Sequence, residues 1–110
     1  MTDSMKLQYQ VASILDEGLP LQIIFMHPEF GKQNGSAQQA QAEQLESASK
    51  NAGFPGRVAL VWPVDNSGEY KFIAPPFHCP MFEKKSFNEL LALRNKTLEV
   101  TANEVTPFET

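Results

Sequence analysis

Hydrophobic and polar positions change period several times along the chain, and each change marks an element. Over residues 4–17, Leu7, Val11, Ile14 and Leu15 recur at helical spacing, while Met5, Leu7, Tyr9 and Val11 alternate with polar residues as a strand would. The stop Gly18-Leu19-Pro20, with Asp3 or Ser4 available as a cap, favours the helix, which is the expectation carried forward. "LQIIFM" at 21–26 is short, β-branched and aromatic, so it predicts a buried strand, ended by Pro28. "GKQNGS" has the composition of a loop. Ser36 and Gln39 then form an S-x-x-Q box, in which each side chain satisfies the other's free backbone N–H, opening a helix that runs to about Asn51. Its inner face is predicted from Ala37, Ala40, Ala48 and Ala52, with Leu45 the one large residue. Gly53 suits the left-handed position after the helix, and Phe54 can fold back on the last turn.

"RVALVW" (57–62) predicts a second strand and "YKFIA" (70–74) a third, joined as a hairpin by the turn "DNSGE". Pro63 cannot donate a ladder hydrogen bond, which predicts an edge position for strand two at that end. "PPFHCPMFEKK" predicts an irregular connection. Ser86 and Glu89 make another capping box, followed at helical spacing by Phe87, Leu90, Leu91 and Arg94. "TLEVTA" (97–102) turns Leu98, Val100 and Ala102 inward against Thr97, Glu99 and Thr101, and 103–110 is a tail. The order is an N-terminal helix followed by β-α-β-β-α-β. It predicts one α+β domain over 1–110 with its core in 21–102, as a ferredoxin-like mixed or antiparallel sheet with helices packed on it. The alternative is an α/β sandwich of other topology. A thioredoxin-like one is disfavoured, because no helix separates strands two and three and no C-x-x-C exists.

Composition narrows the function classes. A chain of 110 residues suits one domain. Hydrophobic content of 42% and charged content of 20% exclude both disorder and a membrane-spanning protein. A net charge of −4 argues against sequence-independent nucleic-acid binding, which needs a basic surface to displace counterions, and against anionic membranes. One cysteine excludes an internal disulfide framework, and "MTDSMKLQYQ" lacks a basic start followed by a long apolar stretch, so a cytoplasmic setting is expected.

The chemistry-bearing residues are few. "FMHPEF" (25–30) and "PFHCPMF" (76–82) hold the only two histidines, each after an apolar run, and the second touches the only cysteine. In the predicted topology strand one runs up and strand three runs down. His27 and His78 then lie at opposite rims, about 20 Å apart for six residues of strand, too far to share a metal whose ligands sit at about 2 Å. Locally, Glu29 could orient His27 as a base, or be a solvated loop residue while His27 caps the rim; the second is favoured. Pro80 favours extended backbone at Cys79, which would point the His78 and Cys79 side chains apart. Cys79 also precedes the Ser86 cap by seven residues, too far for that helix to activate its thiol. The His27-Pro28, Ala74-Pro75, Pro75-Pro76 and Cys79-Pro80 bonds are each candidates for the cis form. Lys32 in "GKQNGS" could assist an anion at the following helix, although a plain loop is favoured. No G-x-G-x-x-G, P-loop, G-x-S-x-G or H-E-x-x-H occurs.

The strands are apolar on both sides. Leu21, Ile23 and Phe25 oppose Ile24 and Met26; Val58, Leu60 and Trp62 oppose Ala59 and Val61; Tyr70 and Phe72 oppose Ile73. A two-layer fold would alternate to polar on one face. The second face therefore needs a cover: the N-terminal segment, the tail (Val105, Phe108), a second subunit or a ligand. The expectation is a small acidic α+β module for protein–protein interaction or small-ligand binding, non-enzymatic and homodimeric. Its ligand or interface residues are drawn from Ile24, Met26, His27, Glu29, Val61, Trp62 and Ile73, with no cofactor and no metal. The alternative is a small enzyme or thiol/metal site centred on His78 and Cys79. An RNA-binding sheet is disfavoured, since only Arg57 and Lys71 lie near the strands.

Overall fold

Residues 6–16 form a strand and not a helix, and that difference reorganises the sheet. The computed structural model describes residues 6–64 and 68–101. The proposed caps Asp3 and Ser4, Met5, the side chain of Leu7, residues 65–67 of the turn, Ala102 and the tail with Val105 and Phe108 lie outside them. The strands are β1 (Lys6–Asp16), β2 (Leu19–Phe25), β3 (Arg57–Val64), β4 (Glu69–Ile73) and β5 (Lys96–Thr101); the helices are α1 (Gly35–Asn51), α2 (Cys79–Lys84) and α3 (Phe87–Leu91). Short 3-10 turns occupy Pro28–Lys32 and Pro76–His78, so the connection expected to be irregular is mostly helical. No peptide bond among the described residues is cis.

β1 sits inside the sheet, antiparallel to β2 on one side and to β5 on the other. Glu17 (φ 54°) and Gly18 (φ 82°) both take left-handed backbone. That is the two-residue hairpin turn whose twist matches its strands. The Gly18-Leu19-Pro20 sequence that suggested a helix stop is thus a hairpin tip and the start of β2. Strand wins because Val11 and Ala12, on opposite faces, are both fully buried, which a helix with one apolar stripe would not achieve. Asn95 extends the β5 ladder with its side chain, accepting from Ser13 N at 2.8 Å and donating to Ser13 O at 3.0 Å.

The strand order is β4-β3-β2-β1-β5, a five-stranded mixed sheet in an α+β fold with three helices. β2 and β3 are parallel neighbours with α1 as their crossover. In a ferredoxin-like sheet another strand would split that unit; here none does, so that topology is replaced by the neighbouring-pair one. β3 and β4 form the expected hairpin. β3 is interior rather than an edge, but the proline argument holds locally. Val61 O accepts from Met26 N at 2.8 Å. Pro63, two residues on, therefore faces the same side, where β2 has already ended at Phe25.

α1 begins at Gly35, one residue before the predicted box. Asn34, in extended backbone, accepts from Ala37 N at 2.8 Å, and asparagine caps as well as serine does. The far end closes as predicted: Gly53 is left-handed (φ 88°), Gly53 N bonds Lys50 O, and Phe54 N bonds Ser49 O, both at 3.0 Å. The inner face is Gln41, Leu45, Ala48 and Ser49; Ala37, Ala40 and Ala52 are exposed. Gln41 tolerates burial because its side chain bonds the Tyr9 hydroxyl. Burial also raises the Tyr9 pKa, against the opposing pull of that hydrogen bond.

Both sheet faces are covered by the chain itself. On one, α1 and Phe30 bury Val11, Ile24, Met26, Leu60, Trp62 and Leu98, and Trp62 meets Phe30 edge-on at 4.8 Å between centroids. On the other, Phe82 of α2 and Leu90 of α3 bury Ala12, Leu21, Ile23, Ala59 and Val61. The connection from β4 at one edge to β5 at the other must cross the whole sheet, and its two short helices supply the second layer. None of the covers considered from the sequence is required there.

Candidate functional site

Strand direction decides which loops meet. β2, β3 and β5 run one way, and β1 and β4 run the other. The ends of β1 and β4 therefore share a rim with the start of β2, while His27, after β2, lies at the opposite rim. The two histidines stay apart, as strand direction predicted. Among the described residues no group of three or more His, Cys, Asp or Glu is placed to hold a metal.

At the shared rim, His78 Nδ1 stands 2.7 Å from Asp16 Oδ2. The His78 side chain is 2% exposed and that of Asp16 12%. A carboxylate only accepts, so the ring nitrogen donates. The 3-10 turn that aims the imidazole inward is closed by His78 N on Pro75 O at 2.9 Å. Phe77 stays 52% exposed and meets the His78 ring edge-on at 5.1 Å. Beside this pair lies a cleft of about 390 Å³ between the hairpin tip and α2, lined by Asp16, Glu17, Phe77, Met81, Lys84 and Glu89 among others. The Tyr70 hydroxyl fixes α2 to β4 by hydrogen-bonding at the carbonyls of Phe82 and, at 2.7 Å, Lys85. Burial, then the nearby Glu89 charge, raises the Tyr70 pKa.

The other chemical groups are occupied in structural bonds. Cys79 is helical rather than extended, opening α2, so the geometry expected from Pro80 is corrected. Its thiol contacts Ala74 O at 3.7 Å and Pro75 O at 3.6 Å, while His78 goes to Asp16. His27 Nδ1 accepts from Glu29 N at 3.1 Å and so caps the 3-10 turn. The Glu29 carboxylate pairs with Lys32 at 3.3 Å, leaving it neither orienting the imidazole nor freeing the lysine for an anion. Ile24, Met26, Val61 and Trp62 are core residues under the chain's own helices, with Ile73 packed against that core; Val61 faces α2 and α3 while the others face the α1 side.

The predicted capping box at α3 forms in full, with Ser86 N to Glu89 Oε1 at 2.8 Å and Glu89 N to Ser86 Oγ at 3.1 Å. Its hydrogen bonds to Ser86, backbone first, hold the Glu89 pKa below the usual carboxylate value. A depressed folded pKa means that the native state binds fewer protons than the unfolded chain. Its contribution is therefore present above the ordinary glutamate pKa and lost as pH falls through the folded value. Ser86→Ala should cost about 1 kcal/mol at neutral pH. Glu89→Gln, which removes the titrating group, should flatten the acid limb of stability below about pH 4.5, measured by urea unfolding across pH; an acid limb unchanged in that variant would refute the assignment.

Asp16 is the site residue that sequence reasoning missed. Placed at the end of a helix, it had no route to His78. The signal was the alternation through Ala12 and Ile14 up to Glu17-Gly18, which as a hairpin carries Asp16 to the rim where strand three also ends. Compared with family models, curated proteins and solved structures, the chain matches none. Its class is therefore the one the fold and rim define: an α+β protein with helices on both faces of a mixed sheet and a cleft at the β1–β2 tip. No helix among the described residues is long and apolar enough to cross a membrane.

Proposed function

We propose that this chain is a small non-catalytic interaction module that binds a protein partner with the rim around Asp16. One observation carries it. The large apolar side chains left exposed among the described residues are Leu15 (71%), Leu19 (48%) and Phe77 (52%); Leu19 and Phe77 lie on the Asp16 side of the hairpin tip, while Leu15 points to the opposite sheet face. Leu15 precedes Asp16, Leu19 is its cross-strand partner, and Phe77 precedes the His78 that bonds it. Phe77 lines the polar-rimmed cleft and Leu19 stands beside Asp16 on the same side, and exposed apolar side chains next to such a cleft suit binding. The non-catalytic part rests on the engagement of His27, His78 and Cys79 in structural bonds. The strand residues first considered for the interface are covered on both faces, Ile24, Met26, Trp62 and Ile73 by α1 and Phe30, and Val61 by α2 and α3, so the rim takes their place.

A photo-crosslinking side chain installed at position 19 or 77, in cells producing the protein, should give a defined adduct identifiable by mass spectrometry. The same group at exposed Glu43 on α1 should not. No adduct at 19 and 77, or equal adducts at 43, would reject the rim as the binding face.

A further inference from the structure

We infer that the partner at this rim is a second copy of the chain, in a two-fold arrangement that sets the hairpin tip of each protomer against the end of α2 of the other. This inference rests on the rim being the binding face. A two-fold contact places one surface patch against itself, so the patch must be complementary to itself. Both halves of such complementarity are present. The tip ends in Asp16-Glu17, and Glu17 is exposed. α2 ends in Lys84-Lys85, and Lys84 is exposed. Glu17 and Lys84 line the same cleft, and among the described residues neither forms an ion pair. Asp16 is held by His78 and Glu89 by its capping box, so both of these carboxylates are already engaged within the protomer.

Apolar groups complete the surface. Leu19 faces the same side of the sheet as Asp16, since cross-strand partners share a face. Phe77 and Met81 line the cleft between the acidic tip and the basic helix end. His78 to Lys84 spans six residues of helical backbone, about 9 Å at 1.5 Å per residue. Glu17 at the tip and Lys84 at the end of α2 share one cleft with the apolar Phe77 and Met81. A two-fold rotation can lay that apolar pair on its copy while reversing the charge order. A stable contact needs about 800 Å² per protomer, roughly an eighth of the 6793 Å² surface.

Sedimentation velocity on the purified full chain, at concentrations up to about 1 mM, tests this. The wild type should show a monomer–dimer equilibrium. Glu17→Lys alone and Lys84→Glu alone should each raise the dissociation constant about tenfold or more, because each sets like charges face to face twice. Mixing the two variants should restore a dimer, as should Glu17→Lys/Lys84→Glu in one chain, since both contacts become attractive again. Both positions are exposed, so circular dichroism should show unchanged folding. A wild type that stays monomeric, or charge reversals that leave the equilibrium unmoved, would overturn the inference. Crosslinks at 19 and 77 to a different protein would then keep the rim as a binding face with another partner, whereas loss of both results would remove the rim altogether.

Discussion

His78→Ala should destabilise the fold by about 3 kcal/mol, equivalent to a fall in Tm of roughly 12 °C for a domain of this size. Two losses combine. The imidazole is 2% exposed, so truncation leaves a void at the joint between β1 and the 3-10 turn. It also strips Asp16 of the donor 2.7 Å away, leaving a carboxylate with little access to water. Removing one member of a buried pair costs about 3–5 kcal/mol; the low end applies because the Asp16 side chain retains 12% exposure toward the cleft. Asp16→Asn keeps an acceptor for the ring N–H and should cost about 1 kcal/mol. A double-mutant cycle of the two, by chemical denaturation, should give a coupling of at least about 1 kcal/mol. If His78→Ala stays within about 1 kcal/mol of wild type, the pair is not what locks the second helical layer to the hairpin.

Gly56→Ala should be equally damaging for a different reason. Gly56 takes φ 84°, and a Cβ built there would lie 2.1 Å from Pro20 O and 2.6 Å from Pro20 C. Those atoms are backbone of β2, held by the pairing of Pro20 with Leu15 and of Leu21 with Arg57. They cannot yield without moving an interior strand. Left-handed backbone alone costs an L-residue about 1–2 kcal/mol, and forced overpacking adds about 1–3, so a loss of about 3 kcal/mol is expected. Gly53 is the control: its φ is 88°, yet nothing lies within 4 Å of its Cβ position. Gly53→Ala should therefore lose only the conformational part, about 1 kcal/mol. Thermal unfolding of the two variants side by side isolates the clash. Equal losses would mean that β2 gives way at Pro20.

The local features that read correctly are those whose causes are local. Gly53 and Phe54 close α1 because a left-handed residue and a following apolar one suffice. The Ser86–Glu89 box needs only four residues, and the β3–β4 hairpin only two alternating runs and a turn. The opposite placement of His27 and His78 followed from strand direction alone. Other features failed where a distant partner decided. Ser36 lost the cap of α1 to Asn34, and Ala37, Ala40 and Ala52 lost the inner face, because the sheet seats Leu45 and the Tyr9–Gln41 bond pins the turn before it.

By itself, then, the sequence determined the α+β class, most of the element boundaries from 19 onward, and the apolar character of both sheet faces. These follow from residue volume, backbone preference and short-range hydrogen bonding. Only the tertiary structure decided that residues 6–16 are an interior strand, that α2 and α3 cover the second face, and that Asp16 meets His78. Each of those depends on contacts between segments far apart in the chain. A ladder partner such as β5 changes the free energy of a strand without leaving any mark in the spacing of its own side chains.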